Sequence, residues 1–416
     1  MLEQLRKMVG GDAVRAGDDG WAVHGRAPRA VVFPGTDEEA AAVLALASAE
    51  GWAVELAGAG TGLDHGRRPA HVDVVVSTAR MRGVTDYEPA DLVATVGAGT
   101  SLAELAEHLA GNRQWLPLDP PGHERATLGA VAATASAGAL REGHGTPRDH
   151  VLGLRLVTGD GRILDLGGRV VKNVAGYDLV RLAIGSRGTL GLVTRLHVRL
   201  RALPARDETI VVRASEPAPL VDVISRLREE RIEAAALELV SGPLPGSDHD
   251  GWTLLGRFQG SAETVVALCK QAASIGIAAG LEATVIREAP DVWRELSREE
   301  THAPTVIRLA DAPARLAETL ELATRFEGAT RIAAHAGQGI VRLLGGPDAD
   351  RWTELAEAAR AELAARRGTL TIARASTGLI ERVDPFGDAG PTLRLMQELK
   401  KQFDPAGILA PGRFVV

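Results

Sequence analysis

Some stretches of this chain carry residues whose types and spacing could do chemistry. Gly185, Gly188 and Gly191 recur every third residue around Ser186 and Thr189. Glycines so placed let backbone N–H groups approach an anionic ligand with no Cβ atoms in the way. Gly58-Ala59-Gly60-Thr61-Gly62-Leu63 is a second run of the same kind. Thr127-Leu128-Gly129-Ala130 opens a small-residue helix, whose N-terminus offers N–H groups and a positive dipole end to a phosphate. Farther on, His335-Ala336-Gly337-Gln338-Gly339-Ile340-Val341-Arg342 places one histidine and one arginine seven residues apart. His335 reads either as a base or as a strand-end histidine satisfied by its neighbours. Arg308 and Arg342 read as clamps for a substrate carboxylate, whose two oxygens match a guanidinium fork, or as plain salt-bridging arginines. A lone histidine cannot hold a catalytic metal, so no metal is expected here. No Ser/His/Asp set, HExxH or P-loop stands out.

The first glycine loop invites a dinucleotide-binding reading of the βαβ kind. Such a loop runs straight into a helix, with an acidic residue for the ribose about twenty positions later. Here the loop passes through residues 64–71 into another strand, with no amphipathic helix between. That excludes NAD as its ligand and leaves a strand–loop–strand cradle, able to bind a pyrophosphate through backbone N–H groups alone.

The elements that must position these loops follow from pattern. The 416 residues, 45% hydrophobic, suffice for two or three domains and a sizeable core. A net charge of −7 argues against nucleic acid or an anionic membrane surface as main partner. The single cysteine, Cys269, excludes an internal disulfide and a Cys-held iron–sulfur cluster, and its helical surroundings predict a buried core thiol. No segment has bilayer-spanning length and no signal-peptide core is present, so a cytoplasmic protein is expected, with any membrane contact made through a partner. Thr36 with Glu39, and Ser101 with Glu104, predict capping boxes on helices ending at Gly51 and Gly111. Gly159-Asp160-Gly161 predicts a hairpin turn. Residues 201–207 read as a linker. Beyond them, strands at 209–213, 235–240, 252–258, 305–309, 331–335, 340–343 and 369–373 alternate with helices at 220–230, 262–273, 313–326 and 351–366, an α+β pattern on a largely antiparallel sheet. A last helix is expected from Pro391 to Phe403.

The combined string of residues 172–179 and 185–194, KNVAGYDL…GSRGTLGLVT, is more specific than either half. It resembles the flavin-binding half of the vanillyl-alcohol oxidase/PCMH-type FAD proteins, and within them the 2-hydroxy-acid branch of glycolate oxidase subunits and D-lactate dehydrogenases. The final GILAPGRF is similar to that family's GILNPGK tail. The resemblance implies a PCMH-type FAD-binding domain over residues 25–203 after a lead-in of 1–24. It adds an α+β cap domain over 208–387 and a return to the FAD domain over 388–416. It implies FAD contacts at Gly58, Ala59, Gly60, Thr61, Gly62, Leu63, Pro120, Pro121, Thr127, Leu128, Gly129, Ala135 and Gly138. Further contacts fall at Gly145, Arg148, Asp149, Tyr177, Gly188, Thr189, Gly191 and Val193. Ala130 and Ala135 depart from the family's glycine and asparagine. Members that join FAD covalently carry a histidine near Thr61, so non-covalent FAD is implied, and His65 is expected to face solvent.

In this family a 2-hydroxy acid loses its C2 hydride to the flavin while a base takes the hydroxyl proton. The resemblance implies that Lys172 and Asn173 face the pyrimidine end of the flavin, while Lys172 reads equally as a surface lysine. Metal-using relatives carry His-x-Gly-Asp-Gly-Asn-x-His where this chain keeps only His335, with Gln338, Ile340 and Arg342 at the other ligand positions. The implied function is an FAD-binding subunit of a glycolate oxidase-type complex, closest to its E-type subunit. Its partners would be a sister FAD subunit and an iron–sulfur subunit. A self-sufficient D-lactate-like dehydrogenase and a non-catalytic scaffold are the alternatives.

Overall fold

The structure, a computed structural model, describes residues 1–168, 177–287, 289–346 and 351–416. Lys172 and Asn173 lie outside the described residues. The chain divides into two compact units, one of residues 1–137, 146–203 and 388–416, the other of 138–145 and 204–387. The segment 138–145, expected within a continuous 25–203, therefore belongs to the second unit. Its Gly143 N–H donates to the Ala235 carbonyl at 3.1 Å, and a Cβ at Gly143 would stand 2.8 Å from the Ala235 Cα.

The first unit holds a four-stranded sheet, in spatial order Val14–Ala16, Ala30–Val32, Val74–Ser77 and Val54–Ala57. The last three run parallel. The helix Asp37–Glu50 covers this sheet, burying Ala40, Val43, Leu44 and Ala47. Thr36 accepts its Glu39 N–H at 3.1 Å, but the Glu39 carboxylate reaches one residue farther back than a capping box requires, to the Gly35 N–H. Gly51 ends the helix in the left-handed region, at φ 66°, where a side chain would be strained. Within residues 1–24, Leu5, Val9, Ala13 and Val14 are buried in the same core. An antiparallel five-stranded sheet follows, ordered Val84–Glu88, Val93–Gly97, Leu192–Arg199, Val151–Val157 and Ile163–Gly167. Its helix Leu102–Ala110 carries the complete Ser101–Glu104 capping box.

The second unit is built on an antiparallel eight-stranded sheet. Its order is Glu282–Arg287, Arg206–Ala214, Trp252–Gly260, Ala236–Ser241, Ala329–His335, Ile340–Gly345, Thr305–Ala310 and Thr369–Arg374. Helices Ala218–Glu229, Ala262–Ala278, Leu316–Thr324 and Thr353–Ala365 bury their apolar faces on one side, around Leu239, Leu309, Val341 and Phe326. Cys269 is buried there, and burial with the Glu208 carboxylate beside it pushes the thiol up to about 12. The other side is covered by the helix Pro290–His302, anchored by Trp293 through its packing and its indole N–H to Thr209 Oγ1 at 3.0 Å. That helix and the edge strand Glu282–Arg287 are elements the sequence pattern does not reveal. The helix buries only Trp293 and Glu300, and the strand's residues are mostly exposed. Among the described residues no helix is long and apolar enough to cross a membrane.

Candidate functional site

The strand Val54–Ala57 delivers the chain to the first glycine loop. Gly58 is packed so closely against Thr127 that a Cβ would stand 1.9 Å from its Oγ1. Gly60 sits at φ +78° and Gly188 at +77°, conformations glycine adopts without strain. These loops bound a cleft of about 850 Å³ counting the solvent at its mouth, whose walls come from residues 55–58, 60–63, 65–66, 129–130, 133–134, 187–188, 191–193 and 413–414 together with Thr78. Among the described residues no acceptor takes the backbone N–H groups of residues 59–63. Unpaired donors of this kind on a cleft wall form an anion cradle.

Of the sequence-expected residues, Gly58, Gly60, Thr61, Gly62, Leu63, Gly129, Gly188, Gly191 and Val193 line this cleft. Others prove to have local structural duties. The N–H groups of Leu128 and Gly129 donate to the Thr100 and Ala98 carbonyls at 2.9 Å each, so that helix start does not offer them to a phosphate. Thr127 is buried with Oγ1 facing Gly58. Ala135 ends the helix at φ 50°. Asp149 caps the turn at Thr146, accepting its N–H at 2.7 Å, and Arg148 reaches the Ile184 carbonyl at 3.4 Å. Thr189 Oγ1 donates to the Ser186 carbonyl at 2.7 Å. Tyr177 is 94% exposed, and Ala59, Pro120 and Pro121 are not among the cleft residues. Gly138 and Gly145 belong to the second unit.

His65, expected to face solvent, lines the cleft, as do Glu55, Arg187, Arg413 and Phe414, which the sequence did not single out. Arg413 is buried beneath the glycine loop. Its Nη1 donates to the Leu63 carbonyl at 2.8 Å, its Nη2 donates to the His65 carbonyl, and its Nε lies 3.5 Å from Glu55. Burial raises the Glu55 carboxyl against the opposing pull of Arg413 and Lys400.

The second unit holds a different polar cluster, on the sheet side facing the helix Pro290–His302. Sheet register sets Glu238 opposite His335 and Arg308 opposite Arg342. Glu238 bonds His335 Nδ1 through one oxygen and Arg342 Nη2 through the other. Arg342 Nη1 donates to Glu300 at 2.6 Å, and Arg308 Nη2 donates to the other Glu300 oxygen at 2.8 Å. Glu238, Glu300, His335 and Arg342 are all buried. With both outer nitrogens on protein carboxylates, Arg342 is the hub of an ion network, which corrects the expectation of a substrate clamp. Arg308 is about a third exposed, at 32%, and its remaining nitrogens have no acceptor among the described residues. His335 Nε2 likewise has no partner among them.

Burial pushes the Glu238 carboxyl up to about 8, Arg342 pulling the other way. Burial also works against charge on Glu300, yet Arg342 and Arg308 overrule it and hold that carboxyl well below its usual range. His335 is driven well below its ordinary value by burial and then by Arg342. The pair therefore carries its shared proton on Glu238 at neutral pH, with the imidazole uncharged.

Comparison with known proteins places this architecture. A p-cresol methylhydroxylase structure matches 99% of the chain and 95% of its own length, with TM-score 0.76 at 16% identity. An alkyldihydroxyacetonephosphate synthase matches 99% and 84%, with TM-score 0.75 at 17%. The fold is thus that of the PCMH-type flavoproteins. Residues 28–167 match the family described as FAD binding domain, and 305–414 match the C-terminal domain of FAD linked oxidases. A D-lactate dehydrogenase of Archaeoglobus fulgidus is 31% identical across 94% of this chain and 93% of its own. Glycolate oxidase subunit GlcE of Escherichia coli is 31% identical across 80% and 84%. The chain belongs to the FAD-linked oxidases: it is an FAD-dependent oxidoreductase. The residues present fit that cofactor, because the unpaired N–H groups of 59–63 and the close-packed Gly58 form a cradle for its pyrophosphate.

Proposed function

We propose that this chain is the FAD-binding subunit of a glycolate oxidase-type complex that oxidises a small 2-hydroxy acid. The observation that carries this reading is the closed charge chain Arg308–Glu300–Arg342–Glu238–His335. Its arginine hub is engaged by protein carboxylates, so the unit handles substrate with a reduced set of groups. A sister FAD subunit would complete that set, and an iron–sulfur subunit, which this chain with its single cysteine is not, would take the electrons away.

When bound, FAD supplies a two-electron acceptor. Arg308, through its unengaged nitrogens, receives the substrate carboxylate. His335, once Glu238 is ionised above about pH 8 and accepts from its Nδ1–H, receives the hydroxyl proton at Nε2. Thr61 gives the loop no imidazole for a covalent link, so FAD is held non-covalently. Acid precipitation should leave all flavin in the supernatant.

The Glu238-held His335, with Nε2 unpartnered among the described residues, favours a second reading, a self-sufficient D-lactate-like dehydrogenase. The two separate in one experiment. The chain is expressed alone, its visible spectrum recorded, and glycolate and D-lactate added separately without air. The complex reading expects flavin that stays oxidised until the sister subunit is supplied. Bleaching by one substrate with the chain alone would establish the dehydrogenase instead. A colourless protein that FAD cannot reconstitute would overturn both.

A further inference from the structure

The C-terminal segment is joined to two walls of the cofactor cleft, the first glycine loop and residues 187–193. Ile408 and Ala410 bracket Val54 as an added strand: the Val54 N–H donates to the Ile408 carbonyl and the Ala410 N–H to the Val54 carbonyl, both at 2.8 Å. Lys400 Nζ donates to the Thr189 carbonyl at 2.8 Å on one wall and to the Leu409 carbonyl at 2.7 Å in the tail. Asp404, buried, accepts the Ile408 and Leu409 N–H groups at 3.1 and 2.8 Å. The tail then enters the cleft, where Arg413 and Phe414 are lining residues and the Arg187 guanidinium lies 5.8 Å from the Phe414 ring centroid.

Arg413 is the decisive group. A loop whose N–H groups at 59–63 find no acceptor among the described residues keeps its shape only if its carbonyls are fixed from the other side. Arg413 does this at Leu63 and His65, and the Arg67 N–H closes back onto the Arg413 carbonyl at 3.0 Å. The guanidinium also places a buried positive charge under the cradle, with Glu55 as its counter-charge at 3.5 Å. In a low-dielectric site both effects favour a diphosphate.

We propose that residues 408–414 form a strap that is part of the FAD site, in which Arg413 positions the glycine loop and charges it, while Glu55 moderates that charge. The proposal rests on FAD occupying the glycine cradle. It separates from a packing role by sign. If Arg413 and Glu55 served only as a structural pair, removing either would weaken FAD alike. If Arg413 charges the cradle, removing Glu55 tightens FAD and removing Arg413 loosens it.

The test is a titration of flavin-stripped full-length protein with FAD, followed by quenching of flavin fluorescence, on wild type, Arg413→Gln and Glu55→Gln. Wild type that fails to bind FAD would sink the cofactor placement itself. Given wild-type binding, the strap expects Arg413→Gln to raise the FAD Kd at least about 30-fold, roughly the loss of one charge-assisted bond. Glu55→Gln should lower it several-fold. Arg413→Gln within threefold of wild type would overturn the proposal, as would Glu55→Gln weakening FAD. Should Arg413→Gln fail to fold, the sign of the Glu55→Gln change decides alone.

Discussion

The cofactor cleft of the first unit and the charge chain of the second are both polar, but they are made of different matter. In the cleft the donors are backbone N–H groups of residues 59–63, shaped by Gly58, Gly60 and Gly188, and the side chains mostly keep out of the way. In the charge chain the backbone is ordinary ladder and helix, and everything depends on Arg308, Glu300, Arg342, Glu238 and His335 meeting end to end. A site of the first kind is destroyed by adding atoms and tolerates losing them. One of the second kind is destroyed by losing atoms, because each buried charge it leaves unpaired carries its full desolvation cost.

The largest expected effect tests the first half of that contrast. Gly58→Val would put its Cβ into Thr127 Oγ1, where the available distance is 1.9 Å, and its branches farther still. The loop must move off the strand end, and flavin retention should be lost entirely. The measurement is the absorbance of purified protein near the flavin bands, with far-ultraviolet circular dichroism to show that the chain is folded. A yellow Gly58→Val protein would mean the cradle is misassigned.

The next effect belongs to the second unit and to turnover, read in whichever assembly bleaches with substrate. Below about pH 8 Glu238 carries a proton and donates it to His335 Nδ1, which leaves the imidazole hydrogen on Nε2 and no lone pair there. Above that pH Glu238 is ionised and accepts from Nδ1–H, and Nε2 can take a proton. The rate constant should therefore rise with pH through about 8. Glu238→Gln should lower turnover on the order of 100-fold and abolish that limb. An unchanged limb in the variant would remove His335 from the reaction.

Smaller in reach, but still large for stability, is Arg342→Met. It leaves Glu238 and Glu300 buried with no cation between them, and it should cost about 3–5 kcal/mol in urea denaturation. Part of that cost should be recovered by adding Glu300→Gln, since Glu300 is then a buried carboxylate left with only the partly exposed Arg308 as its cation. If the single variant loses less than about 1 kcal/mol, a range usual for surface pairs, the network is not the buried unit described.

The same contrast explains what the sequence disclosed. Glycine and its spacing are visible in a linear string, so Gly58, Gly60, Gly188 and Gly191 could be found, and local caps such as Ser101–Glu104 with them. Short apolar runs at 305–309 and 340–343 mark the strands, and sheet register sets Arg308 opposite Arg342 on one side of the sheet. Glu300 escaped because its helix, Pro290–His302, buries only Trp293 and Glu300 itself and so shows no long apolar face, and Glu238 escaped because only sheet register sets it beside His335. Arg413 was hidden by distance along the chain: nothing local in GRF says that its guanidinium will end under a loop at Leu63 and His65. The helix start at Leu128 and Gly129 shows the converse, since it looks open in sequence while the Thr100 and Ala98 carbonyls occupy its first N–H groups in space.

The smallest predicted effect is the most pointed check on a backbone-built site. Thr61 lines the cleft in the middle of the unpaired N–H run and is exposed, so its side chain is the natural suspect for a phosphate contact. If the backbone does the binding, Thr61→Ala keeps the N–H, keeps a Cβ, and removes only a hydroxyl and a methyl. The cost should be about 0.5 kcal/mol or less, roughly a twofold change in the FAD Kd, measured by the same fluorescence titration. A tenfold loss would show that the hydroxyl carries the contact. The cradle would then be a side-chain site like the charge chain, and the division drawn between the two units would fail at the point where it matters most.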